Sequence, residues 1–408
     1  MTPDLHDLLP GHDLRARVSA LGAAISRDLG AVVGAIPGAP SGPQRLAQAL
    51  GLDKVSVSRL LKALRSREPL AIVHHLPGPE PLRRFLKAAG KSGAPTPLVR
   101  AGEAQVDAFE RLIRDEAGDR GALGSILSAW LPEVRREQEL RARQAAFRAV
   151  GQIRGAQAEF DYSAVLLHPS VDGDRVDVVW LIGIVGLQRL RPGATVKFDT
   201  RRLTLAEGAR RPTDLYGNEI DGPTVRGDEF MPENPAPIEA RKVGEVAHYV
   251  LGDTGFGPRS AVNVHFCEVN RSELPSTVPV GSGRRAWFYH DVKTSVKRSC
   301  FDVFVHRDLY PAADPELIIY DTALDGVADV NDPARDIDRL EGIEELSLLG
   351  AGLDRTPIAE LPRYSELLDH VHTTLGWDPQ AFRGYRVRSE YPVYGSQITL
   401  AFRPPERD

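Results

Sequence analysis

Only two cysteines, Cys267 and Cys300, occur in 408 residues. That excludes a fold stapled by disulfides, and reduced thiols are the expectation. Long apolar runs are missing too. The most apolar stretch, Val178 to Leu187 (VVWLIGIVGL), is too short to span a bilayer as a helix and reads as a strand buried on both faces. The first residues, MTPDLHDLLPGHDLRARV, lack the basic-then-apolar order of a signal peptide. A cytoplasmic protein with no membrane partner is expected. The chain holds no GxxxxGK(S/T) phosphate loop and no GxGxxG between a strand and a helix. No internal repeat is visible. Overall positive charge is absent, with a net −5.

What is present is an ordinary globular composition, 42% hydrophobic and 26% charged, which argues against extensive disorder. The length exceeds what one core usually supports, so two or three domains are expected. The most specific segment is 41–64, SGPQRLAQALGLDKVSVSRLLKAL. Ser41 and Gln44 fit a capping box. Leu46, Ala47 and Leu50 fall on one helical face. Gly51 stands where a first helix must stop, and Asp53 can cap a second. Val57, Leu60, Leu61 and Leu64 form the second helix's apolar stripe. The other faces carry Lys54, Val55, Ser56, Ser58, Arg59 and Lys62. This is the pattern of a helix-turn-helix, whose second helix meets the major groove.

The stretch LAQALGLDKVSVSRLLKAL resembles the winged helix-turn-helix of IclR-type and MarR-type bacterial regulators. The resemblance covers residues 12–90. It implies double-stranded DNA as partner, with Lys54, Val55, Ser58 and Arg59 facing the groove. Leu70, Ile72 and Val73 are expected as a wing strand, with Arg65, Arg67, His74 and His75 at or near it. A similar ALGLxxxxLxRLLKAL run also serves for dimerisation at the N-terminus of small-molecule O-methyltransferases. Charge separates the two readings. Residues 41–94 hold ten Lys and Arg against three acids, a net +7, which leaves −12 on the rest. A basic module on an acidic body is the footprint of a phosphate-binding face.

Helical spacing also predicts a first helix over 13–33 and a short one over PLRRFLKAAG. Further helices are expected after the Gly/Pro/Ser-rich 91–101, including a long one over 132–158 with a packing face of Ala146, Phe147, Val150, Ile153 and Ala156. From about Tyr162 the period becomes alternating. Strands are expected at 163–168, 176–187, 194–198, 245–251, 261–269, 285–291, 300–306 and 316–320. Residues 206–241 hold five prolines and read as a long surface loop. A helix is expected over 361–374, then a final hairpin of 385–391 and 397–402 around Tyr394-Gly395.

Signals for catalysis are weak. GDTGFGPRS (252–260) and GSGRRAW (281–287) are explained by turns. His290-Asp291 and His306-Arg307-Asp308 end strands and are candidate acid/base pairs. His370 and His372 point to different helix faces, poor geometry for one metal. DVNDPARDID (329–338) lacks the glycine and closing Glu of a calcium loop.

The expected architecture is α+β. An all-α winged helix-turn-helix domain over 1–94 precedes a helical connector over 95–160 and a β-rich α+β domain over 161–408. The expected function is a DNA-binding transcriptional regulator. Its C-terminal domain would sense a small-molecule or protein effector or mediate oligomerisation, a homodimer being anticipated. No cofactor, metal or catalytic residue is assigned. The alternatives are a hydrolase or transferase with the winged helix as dimerisation module, and a structural or assembly protein. Convergent polar groups in a deep pocket would favour the enzyme.

Overall fold

The computed structural model describes residues 11–37, 42–202, 210–220, 235–310, 314–352 and 356–407. The chain forms two compact units, 1–139 and 140–408. Described residues of the first unit are helical: α1 (Gly11–Gly34), α2 (Pro43–Leu50), α3 (Lys54–Arg65), α4 (Pro69–His75), α5 (Pro79–Lys91), α6 (Thr96–Leu112) and α7 (Arg120–Trp130). The helix α8 (Pro132–Arg154) contains the division between the units.

The stripe expected on α1 is its buried face. Val18, Ile25, Leu29 and Val32 are fully buried and form one core with Leu46, Leu60, Phe85, Phe109 and Leu127. That core corrects the expected boundary at residue 94. Helices α6 and α7 supply Val106, Phe109, Leu112, Leu123 and Leu127 to it, so they belong to the same unit as α2 and α3.

The expected wing strand is also corrected. Leu70, Ile72 and Val73 lie in α4. Ile and Val favour strands, but Pro69 stands at the first helical position, where its missing N–H costs nothing. The Glu68 side chain caps the turn by accepting from Leu70 N–H at 3.4 Å. The helix then buries all three apolar side chains. Gly22 on α1 permits the close approach, since a Cβ there would sit 2.1 Å from the Pro69 carbonyl oxygen.

In the second unit strands dominate. They are β1 (Ala156–Pro169), β2 (Arg175–Arg189), β3 (Lys197–Arg202), β4 (Ile238–Val243), β5 (Val246–Leu251), β6 (Val262–Pro275) and β7 (Val278–Pro279). After them come β8 (Ala286–Asp291), β9 (Val296–His306), β10 (Glu316–Asp321), β11 (Leu346–Ala351), the helix α9 (Tyr364–Leu375), β12 (Phe382–Glu390), β13 (Ser396–Phe402) and β14 (Glu406–Arg407). The main sheet has the order β11-β12-β9-β1-β2-β6, and β10-β13-β8 and β3-β5-β4 form smaller sheets. The central strand β1 pairs antiparallel with β2 and parallel with β9, Ser163 standing opposite Ile182 on one side and Phe301 on the other.

The main sheet is covered on both faces. Tyr162, Ala164 and Leu166 of β1 pack in one core with Leu367, Leu368 and Val371 of α9. Val165 and Leu167 pack in another with Phe288, Leu400 and Phe402 of the β10-β13-β8 sheet. The expected final hairpin is therefore not formed. β12 pairs with β9 and β11, while β13 pairs with β8 and β10. The intervening Tyr391, at φ 50°, stands where the chain changes sheet. Of the long 206–241 loop, 206–209 and 221–234 lie outside the described residues, and its end enters β4.

One buried ion pair ties β9 to β12. Arg386 donates through Nε and Nη2 to both oxygens of Asp302, at 2.8 and 2.7 Å, and the Tyr364 hydroxyl donates to the same carboxylate at 2.7 Å. Arg386 also donates to the Thr356 and Pro357 carbonyls, each at 3.1 Å. Removing one member strands a buried charge. Arg386→Met is expected to lower stability by about 3–5 kcal/mol. Urea denaturation checks this, and a loss under about 1 kcal/mol contradicts it.

Candidate functional site

The turn between α2 and α3 is built locally. Gly51, at φ 63°, ends α2 in the left-handed region, and its N–H and that of Leu52 bond back to Gln48 and Ala47. The Asp53 side chain caps α3 by accepting from Ser56 N–H at 2.9 Å. Hydrogen bonds from Ser56 hold the Asp53 carboxyl below its ordinary range. The expected cap at Ser41 lies outside the described residues, and Gly42 is the N-cap of α2.

At about 100° per residue, Val57, Leu60 and Ala63 of α3 turn into the core, and Ser56 borders them, half-buried. Lys54, Val55, Ser58, Lys62 and Arg65 share the opposite, exposed face, and Val55 is 69% exposed. Arg67 is exposed in the following turn. Among the described residues, Lys54, Lys62, Arg65 and Arg67 make no side-chain hydrogen bond or ion pair.

Arg59 differs from the others. It falls at the margin of the face, and its Nη2 donates to the Leu76 carbonyl at 3.1 Å. Arg120 reaches the same helix end, donating to the Val73, His74 and Leu76 carbonyls. Burial and the neighbouring Arg59 charge pull the Arg120 pKa down to about 10. Arg59 thus caps the negative end of α4, and sequence spacing alone could not reveal that.

The surplus of positive charge is narrower than 41–94 suggests. Arg83 bonds Asp107 and Glu110 of α6 at 2.8 and 2.6 Å, and Arg84 bonds Glu80 at 3.1 Å. Over residues 1–139, nineteen basic side chains face sixteen acidic ones. Among the described cations with no hydrogen bond or ion pair, Lys54, Lys62, Arg65 and Arg67 cluster on α3 and the turn after it, while Arg45, Lys87, Lys91 and Arg100 are scattered over α2, α5 and α6.

The second unit holds a cavity of about 350 Å³. It opens beside the main sheet where the inward positions of β1 change from Val165 and Leu167 to Ser163 and Asp161. Both polar side chains are buried and meet His290 of β8. Ser163 Oγ lies 2.7 Å from His290 Nδ1, and Ser299 Oγ lies 3.0 Å from Nε2. Asp161 Oδ1 stands 3.3 Å from the same Nε2 but accepts no aligned hydrogen bond. The lining also carries Lys293, between Asp199 at 3.1 Å and Asp291 at 3.5 Å. Burial works against the Lys293 ammonium, yet the two carboxylates outweigh it and raise its pKa.

Of the expected acid/base pairs, His290 and Asp291 do not act together. They alternate along β8, His290 turning to Asp161 and Asp291 to Lys293. His306 stands 3.5 Å from Asp308. His370 faces Tyr216 while His372 is buried against Phe382, on different sides of α9. Cys267 and Cys300 are separate, buried thiols. Among the described residues no group of three or more His, Cys, Asp or Glu is placed to hold a metal ion, and no helix is long and apolar enough to cross a membrane. Sequence reasoning passed over Asp161, Ser163, Trp180 and Lys293. Their visible signal was the polar Asp161 and Ser163 inside an otherwise apolar strand. Compared with known proteins, the chain matches no family model, no curated protein and no solved structure.

Tyr162 also lines the cavity; its hydroxyl meets His265 Nδ1 at 2.6 Å, and among the described residues His265 Nε2 is buried without a partner. Burial lowers the His265 pKa to about 4. The unfolded chain therefore takes up this proton first as pH falls. The stabilisation is complete above about pH 6.5 and is lost on the way down towards pH 4. Between pH 7 and 5 the loss from this residue is expected to be about 2 kcal/mol. Denaturation of the wild type and His265→Gln at both pH values checks it. An unchanged pH dependence in the variant contradicts it.

Proposed function

We propose that this chain is a DNA-binding transcriptional regulator that docks α3 on duplex DNA, while its second unit senses a small effector. The observation that carries the reading is the exposed face of α3. It presents Lys54, Lys62 and Arg65 without internal partners, and no acid interrupts them. Unpaired cations on one helix face suit phosphates, since their binding releases counterions. Ser58 and Val55 lie among them and suit a base edge and a thymine methyl. The likeness of 41–64 to helix-turn-helix regulators supports the same docking. With residues 69–75 helical, this reading uses a helix-turn-helix without a wing at that position. Arg59, engaged with α4, takes a supporting place rather than a base-reading one. The cavity of the second unit supports effector sensing, because its size and mixed lining fit a small molecule. Its convergent Asp161, Ser163 and His290 support the enzyme alternative as a second reading.

A homodimer belongs to the same proposal, since two half-sites multiply the contacts. The apolar stripe of α1 is consumed inside the chain. On α8 the described buried positions are Val134, Arg143, Phe147 and Gly151, whereas Ile153, expected to pack, is 74% exposed. The dimer contact is therefore assigned to α8, and light scattering should give twice 44.6 kDa. A monomer with and without DNA contradicts it.

The test of DNA docking is a salt-titrated anisotropy measurement with generic duplex. Affinity should fall steeply as salt rises. Lys62→Ala and Arg65→Ala should each reduce the slope of log affinity against log salt by about 1. Arg59→Ala should change it less. A flat salt response, or Arg59 as the dominant contributor, contradicts the assignment.

A further inference from the structure

We infer that the cavity of the second unit binds a small organic cation, an amine or amidine carried on an aromatic or apolar body. The inference rests on the reading of that unit as a sensor, and it adds the chemical class of the effector.

Charge gives the sign. Four carboxylates line the cavity (Asp161, Asp199, Glu268 and Asp291) against two permanent cations, Lys293 and Arg201. The cations are already satisfied. Lys293 lies between Asp199 and Asp291, and Arg201 stands 3.8 Å from Glu268. An anionic ligand would have to break these pairs. The carboxylate left over is that of Asp161, which is 5% exposed. Among the described residues its Oδ1 accepts no hydrogen bond, although His290 Nε2 is 3.3 Å away. The two imidazole nitrogens are held instead by Ser163 and Ser299. A buried carboxylate short of donors is a site for an N–H donor that brings positive charge.

Shape and walls give the rest. Trp180 and Tyr289 stand with ring centroids 6.3 Å apart and nearly perpendicular. Phe266 packs between Tyr249, at 5.8 Å, and Phe198, at 6.0 Å. These rings line the same cavity. Aromatic faces attract a cation through the ring quadrupole and also bury its apolar body. A volume of about 350 Å³ suits a ligand of one or two rings.

Calorimetry on the full-length protein tests this with three matched probes: phenethylamine, 2-phenylethanol and phenylacetate. Phenethylamine should bind, 2-phenylethanol should bind more weakly, and phenylacetate should bind weakest. Asp161→Asn should weaken the amine by about 10- to 100-fold and leave the alcohol nearly unchanged. If that variant does not fold, Trp180→Leu serves instead, with a larger loss for the amine than for the alcohol. No amine binding, or phenylacetate binding as well as the amine, overturns the inference. So does amine binding indifferent to both substitutions. Anisotropy with duplex DNA separates the two proposals. Asp161-dependent amine binding that leaves the duplex affinity unchanged supports the cavity assignment and contradicts the sensing reading.

Discussion

Both faces of β1 are covered, and much of the second unit follows from that. A central strand flanked by β2 and β9 has no edge, and α9 and the β10-β13-β8 sheet leave it no solvated face. Any polar group on it must find partners inside the protein. Tyr162 does so through His265, and Ser163 through His290. Asp161, one position beyond, is only partly answered, and there the packing opens into a cavity. The polar positions of β1 thus mark where the layers stop being core and open into a cavity. The Asp302–Arg386 pair works differently. Every oxygen of that carboxylate is matched, so it fixes β12 on β9 and leaves nothing for a ligand.

The first unit solves the opposite problem. Its core is apolar throughout, and its cations are managed on the surface. Arg83 and Arg84 are neutralised by neighbours, Arg59 and Arg120 are spent on the carbonyl end of α4, and the α3 face is left uncompensated. Formal charge over a segment says little about this distribution. Placement on the helix decides which cations are available to a partner.

Much of the fold was legible from spacing. The helices α1, α2 and α3 and most of the long strands lie where the apolar period puts them, because long periodic segments state which face is buried. By contrast, α8 stops at Arg154, short of the expected 158, with Ala146 and Ile153 of its expected packing face exposed and Ala156 in β1. Gly51 and Asp53 were readable because stopping and capping a helix require particular residue types. The segment over 70–73 was not, since Ile72 and Val73 fit either state and contact with α1 decides between them. Sheet partnership was not legible either. β12 and β13 follow each other closely yet join different sheets, and only long-range pairing determines that. The cavity was visible only as two polar residues in an apolar strand. Its aromatic walls come from β2, β3, β5, β6 and β8, and no local pattern brings them together.

The central claim is that α3 presents its basic face to duplex DNA. The scarcity of lysine, eight in the chain, makes it directly readable. Acetylation of the full-length protein, followed residue by residue with mass spectrometry, should report the docked face. Adding duplex should slow modification of Lys54 and Lys62 and leave the exposed Lys197 and Lys242 of the second unit unchanged. Equal rates at Lys54 and Lys62 with and without duplex, under conditions where the DNA is bound, would contradict the account.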